Sequence, residues 1–175
     1  MASPHQKGVL DNNFKVSTKD GKTEVITLNT KAITIIWGGE SCEGRYWRRT
    51  TINSFEVAEL VSVYWLEVAG RVPLSNFSPS TTYAFVVTLK LKPEASGWEN
   101  SPVIFSLKMP GQAVSSKPVK LHQYMGSDWV DVPEGGIRFT VPKSASGELD
   151  FAIYEIKGDK WKKGLMIKEV KFIKV

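Results

Sequence analysis

The 175-residue chain is 42% hydrophobic and 23% charged, and its 23 basic and 18 acidic residues leave a net charge of +5. A chain of that length closes one domain and buries roughly 70% of its unfolded surface, and this composition excludes intrinsic disorder. No apolar run approaches the ~18 residues of a spanning helix, the single cysteine, Cys42, rules out an internal disulfide, and the densest basic stretches, 45–49 and 160–163, are too short for a nucleic-acid stripe and read as solvated surface.

The first residues, MASPHQKGVLDNNFK, lack the apolar stretch of a secretory signal, so a cytoplasmic protein is expected. Residues 1–12 are expected to be disordered, and the sequon at Asn76, Phe77 and Ser78 is read as chance. FKVST and TEVITL flank KDGK, whose Asp-Gly pair suits a tight turn, so an N-terminal extension over 1–30 is expected to carry a β-hairpin between 14 and 28. Its thin apolar content requires a further surface, either the body of the domain or a second subunit.

From residue 31 the dominant signal is alternation of period two over short runs punctuated by Gly, Pro, Asn and Ser. ITIIW (33–37) is the first such strand, followed by the Gly-rich loop GGESCEGRY. NSFEVAEL is the one helical candidate, a single turn that Ser54 would cap. VSVYWLEVAGRV (61–72) reads as one long strand with Trp65 in the core. In TYAFVVTLKLK, Tyr83, Phe85, Val87, Leu89 and Leu91 share one face while Ala84, Val86, Thr88, Lys90 and Lys92 share the other, the pattern of a half-buried antiparallel strand. Strands are also expected at 102–109, 118–124, 128–132, 136–141, 149–156 and 164–175. So many evenly spaced strands predict an all-β fold, an antiparallel β-sandwich.

A sugar presents a flat C–H face rimmed by hydroxyls, so its receptor needs an aromatic plate flanked by carboxylates, amides or cations. WGGESCEGRYWRR offers such a set: Tyr46 and Trp47 as plates, with Glu40, Glu43, Arg45 and Arg48 as polar partners. The competing reading is that these aromatics pin the loop to the sandwich edge or form a protein interface.

The order and spacing of ITIIWGGESCEGRYWRR, EVAELVSVYWLEVAGRV, SPSTTYAFVVTLKL and GELDFAIYEIKGDKWKKGLMIKEVKFIKV resemble the phloem protein 2 (Nictaba-like) lectin domain over residues 31–175. The resemblance is nearest to cucurbit phloem lectins. It implies a sandwich of jelly-roll character, a homodimer, a place in phloem sap, and binding of chitooligosaccharides and the chitobiose core of N-glycans. No cofactor and no metal are expected. Four positions match residues assigned to sugar binding in that family: Trp37, Trp47, Glu148 and Glu155. Because Glu148 and Glu155 are seven apart, a regular strand sets them on opposite faces. Glu155 then shares a face with Leu149, Phe151 and Ile153 and is alternatively a buried, paired carboxylate. The turn DKWKKG is similar to the Tyr-Trp-Lys turn of sugar-binding F-box proteins, which adds Trp161 and Lys162; here the alternatives are a core-capping indole and a solvent-facing amine. Ser41, Cys42 and Glu43 form an insertion relative to the family's loop, and Cys42 reads as a free thiol in preference to an interchain bridge.

Enzyme readings fare poorly. Glu148 and Asp150 share a strand face as in some jelly-roll glucanases, but the following positions supply no third carboxylate. His5 and His122 with one cysteine make neither a metal cluster nor a nucleophile and base. An interaction module without sugar specificity, binding protein or RNA, is the alternative to a lectin.

Overall fold

The computed structural model describes residues 3–157 and 160–175. Twelve strands follow one another: β1 (Phe14–Lys19), β2 (Lys22–Leu28), β3 (Thr34–Ile35), β4 (Trp47–Ile52), β5 (Phe55–Leu60), β6 (Leu66–Pro73), β7 (Thr82–Ser96), β8 (Val103–Lys108), β9 (Ser115–Val119), β10 (Val130–Thr140), β11 (Glu148–Glu155) and β12 (Lys163–Lys174). All pairings between them are antiparallel. Among the described residues the helical elements are all short 3-10 turns, and none is long and apolar enough to cross a membrane.

The strands form two sheets. In the seven-stranded sheet, β12 pairs with β7 along one edge, and β7 pairs with β10. The other edge of β12 forks: Met166 and Ile167 meet β5, which leads to β4, whereas Val170–Ile173 meet β2, which leads to β1. The second sheet runs β3-β6-β11-β8-β9. Between the sheets lies a core built by alternation. Tyr83, Phe85, Val87, Leu89 and Leu91 of β7 are all buried, as their shared parity requires. Phe77, Tyr83, Phe85, Phe139, Phe151 and Phe172 stack edge and face with ring separations between 5.0 and 6.1 Å.

The expected hairpin at KDGK is present, with Asp20 and Gly21 at φ +54° and +75°. Its supporting surface is the sandwich itself, through β2 on β12. Residues 3–12, read from sequence as lacking order, are laid along the domain: Gln6 exchanges backbone hydrogen bonds with Ile35, and Val9 N–H donates to Lys31 O. Residues 1 and 2 of that segment lie outside the described residues.

Two expectations are corrected. NSFEVAEL is not helical: Asn53 and Ser54, at φ +49° and +75°, make the two-residue loop of the β4–β5 hairpin. The run 61–72 is not one strand, because pairing with β11 begins only at Leu66. Trp65 therefore lies ahead of β6 on a loop, 43% exposed, and is not core. It has the parity of outward-facing Glu67, to whose carboxylate its Nε1–H donates at 2.9 Å, whereas Leu66 and Val68 point inward.

Candidate functional site

Three connections converge at one end of the sandwich: residues 36–46 between β3 and β4, 61–65 between β5 and β6, and, between β11 and β12, the described residues 156–157 and 160–162. Backbone hydrogen bonds link them in series. Val63 and Lys162 exchange N–H···O bonds of 3.0 and 2.8 Å, Val61 N–H donates to Tyr46 O at 2.9 Å, and Ile36 N–H donates to Glu67 O at 3.1 Å. Gly97, at φ +95°, lets the chain after β7 pass close beneath the third connection, since a Cβ there would fall 2.2 Å from Trp161 O.

This end carries a group of exposed aromatic rings. Trp37, Tyr64, Trp65 and Trp161 are 37%, 42%, 43% and 59% exposed. Tyr64 and Trp161 meet edge to face at 5.8 Å, and Trp37 lies 5.5 Å from Tyr46. Arg45 sits 5.1 Å over the Tyr46 ring. Beneath Tyr64 and Trp161 is an ion pair with both members buried: Lys162 Nζ is 2.5 Å from Glu155 Oε2, with side-chain exposures of 1% and 5%. The well-directed hydrogen bonds of Lys162 go to Tyr64 O (2.8 Å) and Lys160 O (3.4 Å), and its Nζ lies 5.7 Å from the Tyr64 ring centre. Lys162 thus fixes the backbone that presents Tyr64.

The sequence-derived candidates separate into three groups. Trp37 and Tyr46 meet at this end, with Tyr46 half-buried, and Trp161 stands on the neighbouring connection against Tyr64. Of the DKWKKG turn, Asp159 lies outside the described residues. Glu155 and Lys162 reach the same end but from inside, as the buried pair; the solvent-facing alternative for Lys162 is corrected, because its bridge to Val63 turns it inward.

Trp47 and Glu148 stand apart. Trp47 was expected as an exposed plate, but it opens β4 opposite Leu60 and is 1% exposed within the core, its Nε1 without a protein partner. Glu148 sits opposite Pro73 at the far end of β11, about 23 Å along the strand from Glu155 at ~3.3 Å per residue. It lines a groove with Arg71, Lys108 and Asp150, where Arg71 and Asp150 pair at 3.1 Å.

The remaining polar candidates of the first loop are engaged elsewhere. Glu43 accepts from Arg49 N–H at 2.8 Å, and Arg48 reaches Glu59 at 2.5 Å on the outer face of the seven-stranded sheet. Burial pushes the Arg49 guanidinium below its ordinary range, against the opposing pull of Glu43 and Glu56. Sequence reasoning missed Tyr64 and Trp65 as candidates, although the parity of Trp65 with Glu67 and Arg71 was a usable signal.

The fold and its aromatic end define a β-sandwich that offers its exposed rings on the loops of one end. The family described as Phloem protein 2 matches residues 23–174, and the chain belongs to that family. It is 33% identical over 150 residues to Protein PHLOEM PROTEIN 2-LIKE A1 of Arabidopsis thaliana, covering 82% of this chain and 58% of that one. Over 164 residues it is 32% identical to PHLOEM PROTEIN 2-LIKE A9 of the same plant, covering 86% and 88% respectively. A protein of Luffa acutangula named Lectin is 30% identical over 154 residues, covering 86% of this chain and 70% of that one. The chain spans 58% of the length of each of the first two Arabidopsis relatives it matches.

Proposed function

We propose that this protein is a non-enzymatic lectin that binds N-acetylglucosamine oligomers and the chitobiose core of N-glycans at its aromatic end. The observation that carries the reading is the group of four exposed aromatic rings there, two of them, Tyr64 and Trp161, standing over the buried Lys162–Glu155 pair. An exposed indole on a loop stabilised from beneath is the plate that the C–H face of a pyranose requires, and Glu67, already oriented by Trp65, supplies a carboxylate beside it. The relative named Lectin and the family resemblance support sugar as the ligand. Trp37, Tyr64, Trp65 and Trp161 are proposed as the contact surface, with Lys162 and Glu155 as its support. A homodimer in phloem sap is the proposed working form, since cross-linking glycoproteins requires at least two sites per particle.

Titration with chitotriose, followed by tryptophan fluorescence and calorimetry, tests the reading: saturable heat with a fluorescence shift is expected, and the absence of both would overturn it. A second reading, association with RNA, is favoured by one separate observation. On the outer face of the seven-stranded sheet, Lys90 lies 4.9 Å over Trp129 and Lys168 4.3 Å over Phe55, an aromatic and basic pairing suited to single strands. Salt-dependent binding to a single-stranded RNA, abolished in Trp129→Ala, would support it.

A further inference from the structure

We propose that His5 is a positioning residue for the sugar site: its neutral imidazole holds Trp37 in its binding conformation, so that glycan affinity falls as His5 becomes protonated. The inference rests on the reading of Trp37 as a sugar contact. His5 precedes the family match, which begins at residue 23, so this device belongs to the chain's own N-terminal segment.

Trp37 needs holding. Its φ of +65° lies in the left-handed region, where a bulky side chain persists only if its surroundings enforce it. The enforcement comes from residues 4–6. Trp37 N–H donates to His5 Nδ1 at 3.0 Å, which sets the imidazole proton on Nε2. The His5 ring meets the indole at 4.7 Å and 62°, with Tyr46 on the indole at 5.5 Å.

The segment carrying His5 is itself fixed in register. Gln6 and Ile35 exchange two 2.9 Å backbone bonds, and Gly39 N–H donates to Pro4 O at 2.9 Å. Gln6 Oε1 accepts from Arg49. The approach is close: a Cβ on Gly39 would fall 2.0 Å from Ser3 O.

Only the neutral ring can make the central bond. An imidazolium donates from both nitrogens and offers no lone pair, so protonation sets two N–H groups against each other and leaves Trp37 N–H without an acceptor. The charged groups sharing the cavity beside His5 are balanced, with Lys7, Lys31 and Arg49 against Glu40, Glu43 and Glu56, and Arg45 lies beyond on Tyr46. The contact therefore requires the neutral ring and is lost when the ring takes up a second proton.

The test is calorimetric titration of the full chain with chitotriose at about pH 7.5 and about pH 5.5, using the wild type, His5→Asn and His5→Ala. The wild type should bind about fivefold more weakly at the lower pH, the worth of one hydrogen bond. Asn offers an amide oxygen that accepts without titrating, so His5→Asn should bind with a flat profile. His5→Ala should be weak at both values. Parallel pH profiles in the wild type and His5→Asn would overturn the proposal, as would wild-type affinity in His5→Ala at the higher pH. The Trp37 amide resonance supplies a readout that needs no sugar: it should titrate in the wild type and not in His5→Asn. If chitotriose fails to bind at either pH while that resonance still titrates, the lectin reading falls and takes the glycan consequence with it. If the resonance does not titrate, the latch itself is wrong.

Discussion

Lys162 and Glu155 form an ion pair of 2.5 Å at the base of the aromatic end, each hidden from solvent. Glu155 is the last residue of β11 and shares its inward parity with Leu149, Phe151 and Ile153. Lys162 pairs through its backbone with Val63 and through Nζ with Tyr64 O. One buried pair thus joins the strand that ends at the site to both loops that present Tyr64, Trp65 and Trp161.

Breaking that pair should cost far more than removing it. Lys162→Met or Glu155→Met alone leaves a buried group without its counter-charge and should destabilise by about 3–5 kcal/mol, whereas the two together should lose markedly less than the sum. Urea unfolding midpoints at constant m-value check this. Additive losses in the double variant would show that the two side chains are not coupled.

The tryptophans should divide by burial. Trp47→Ala empties a core site and should cost about 3–5 kcal/mol, visible as a large fall in Tm. Trp65→Ala and Trp161→Ala should leave stability within about 0.5 kcal/mol of wild type while lowering chitotriose affinity, Trp161→Ala by about tenfold or more. A folded, sugar-blind Trp47→Ala protein with wild-type Tm would reverse the assignment.

That division shows what the sequence could and could not carry. Alternation alone was enough for β7, β8, β11 and β12, because a strand with one dry face writes its geometry directly into its residues. It was also enough to set Glu148 and Glu155 on opposite faces. It failed where loop and strand share an apolar run. VSVYWLEVAGRV contains no Gly or Pro before Gly70, so nothing marked Leu66 as the first paired residue, and Trp65 was read with the strand it precedes. Trp47 misled in the opposite direction: it follows a Gly-rich loop in sequence, but it is the first residue of β4, and its register opposite Leu60 puts it inside. The hairpin at Asn53 and Ser54 was hidden because those residues also suit a helix cap.

Glu148 should prove dispensable for short oligomers. It lies at the opposite end of β11 from Glu155, on the outer face with Asp150 and Ala152. Glu148→Ala should leave both Tm and chitotriose affinity unchanged within error. A tenfold loss would mean that the groove it shares with Arg71 and Lys108 takes part in binding.

Acid should unfold this protein partly through the outer face of the seven-stranded sheet. Burial pushes the Glu59 carboxyl up, but hydrogen bonds from Arg48 and Lys92 outweigh it and hold the group below its ordinary range. Asp131 behaves alike: burial is outweighed by the Thr88 hydroxyl and Lys171. A carboxylate depressed in the folded state stabilises fully above its unfolded value, near 4, and that contribution disappears as pH falls through the lower folded value. The contribution of Glu59 and Asp131 to the unfolding midpoint should therefore be constant above about pH 5 and be lost steeply below about pH 4. Glu59→Gln strands Arg48 and Lys92 and should be less stable than wild type at neutral pH. The gap should then close as acid protonates Glu59 in the wild type, because the two proteins come to differ only by a neutral acid and its amide. A gap that stays constant from neutral pH down to about pH 3 would show that Glu59 contributes through packing and not through its charge.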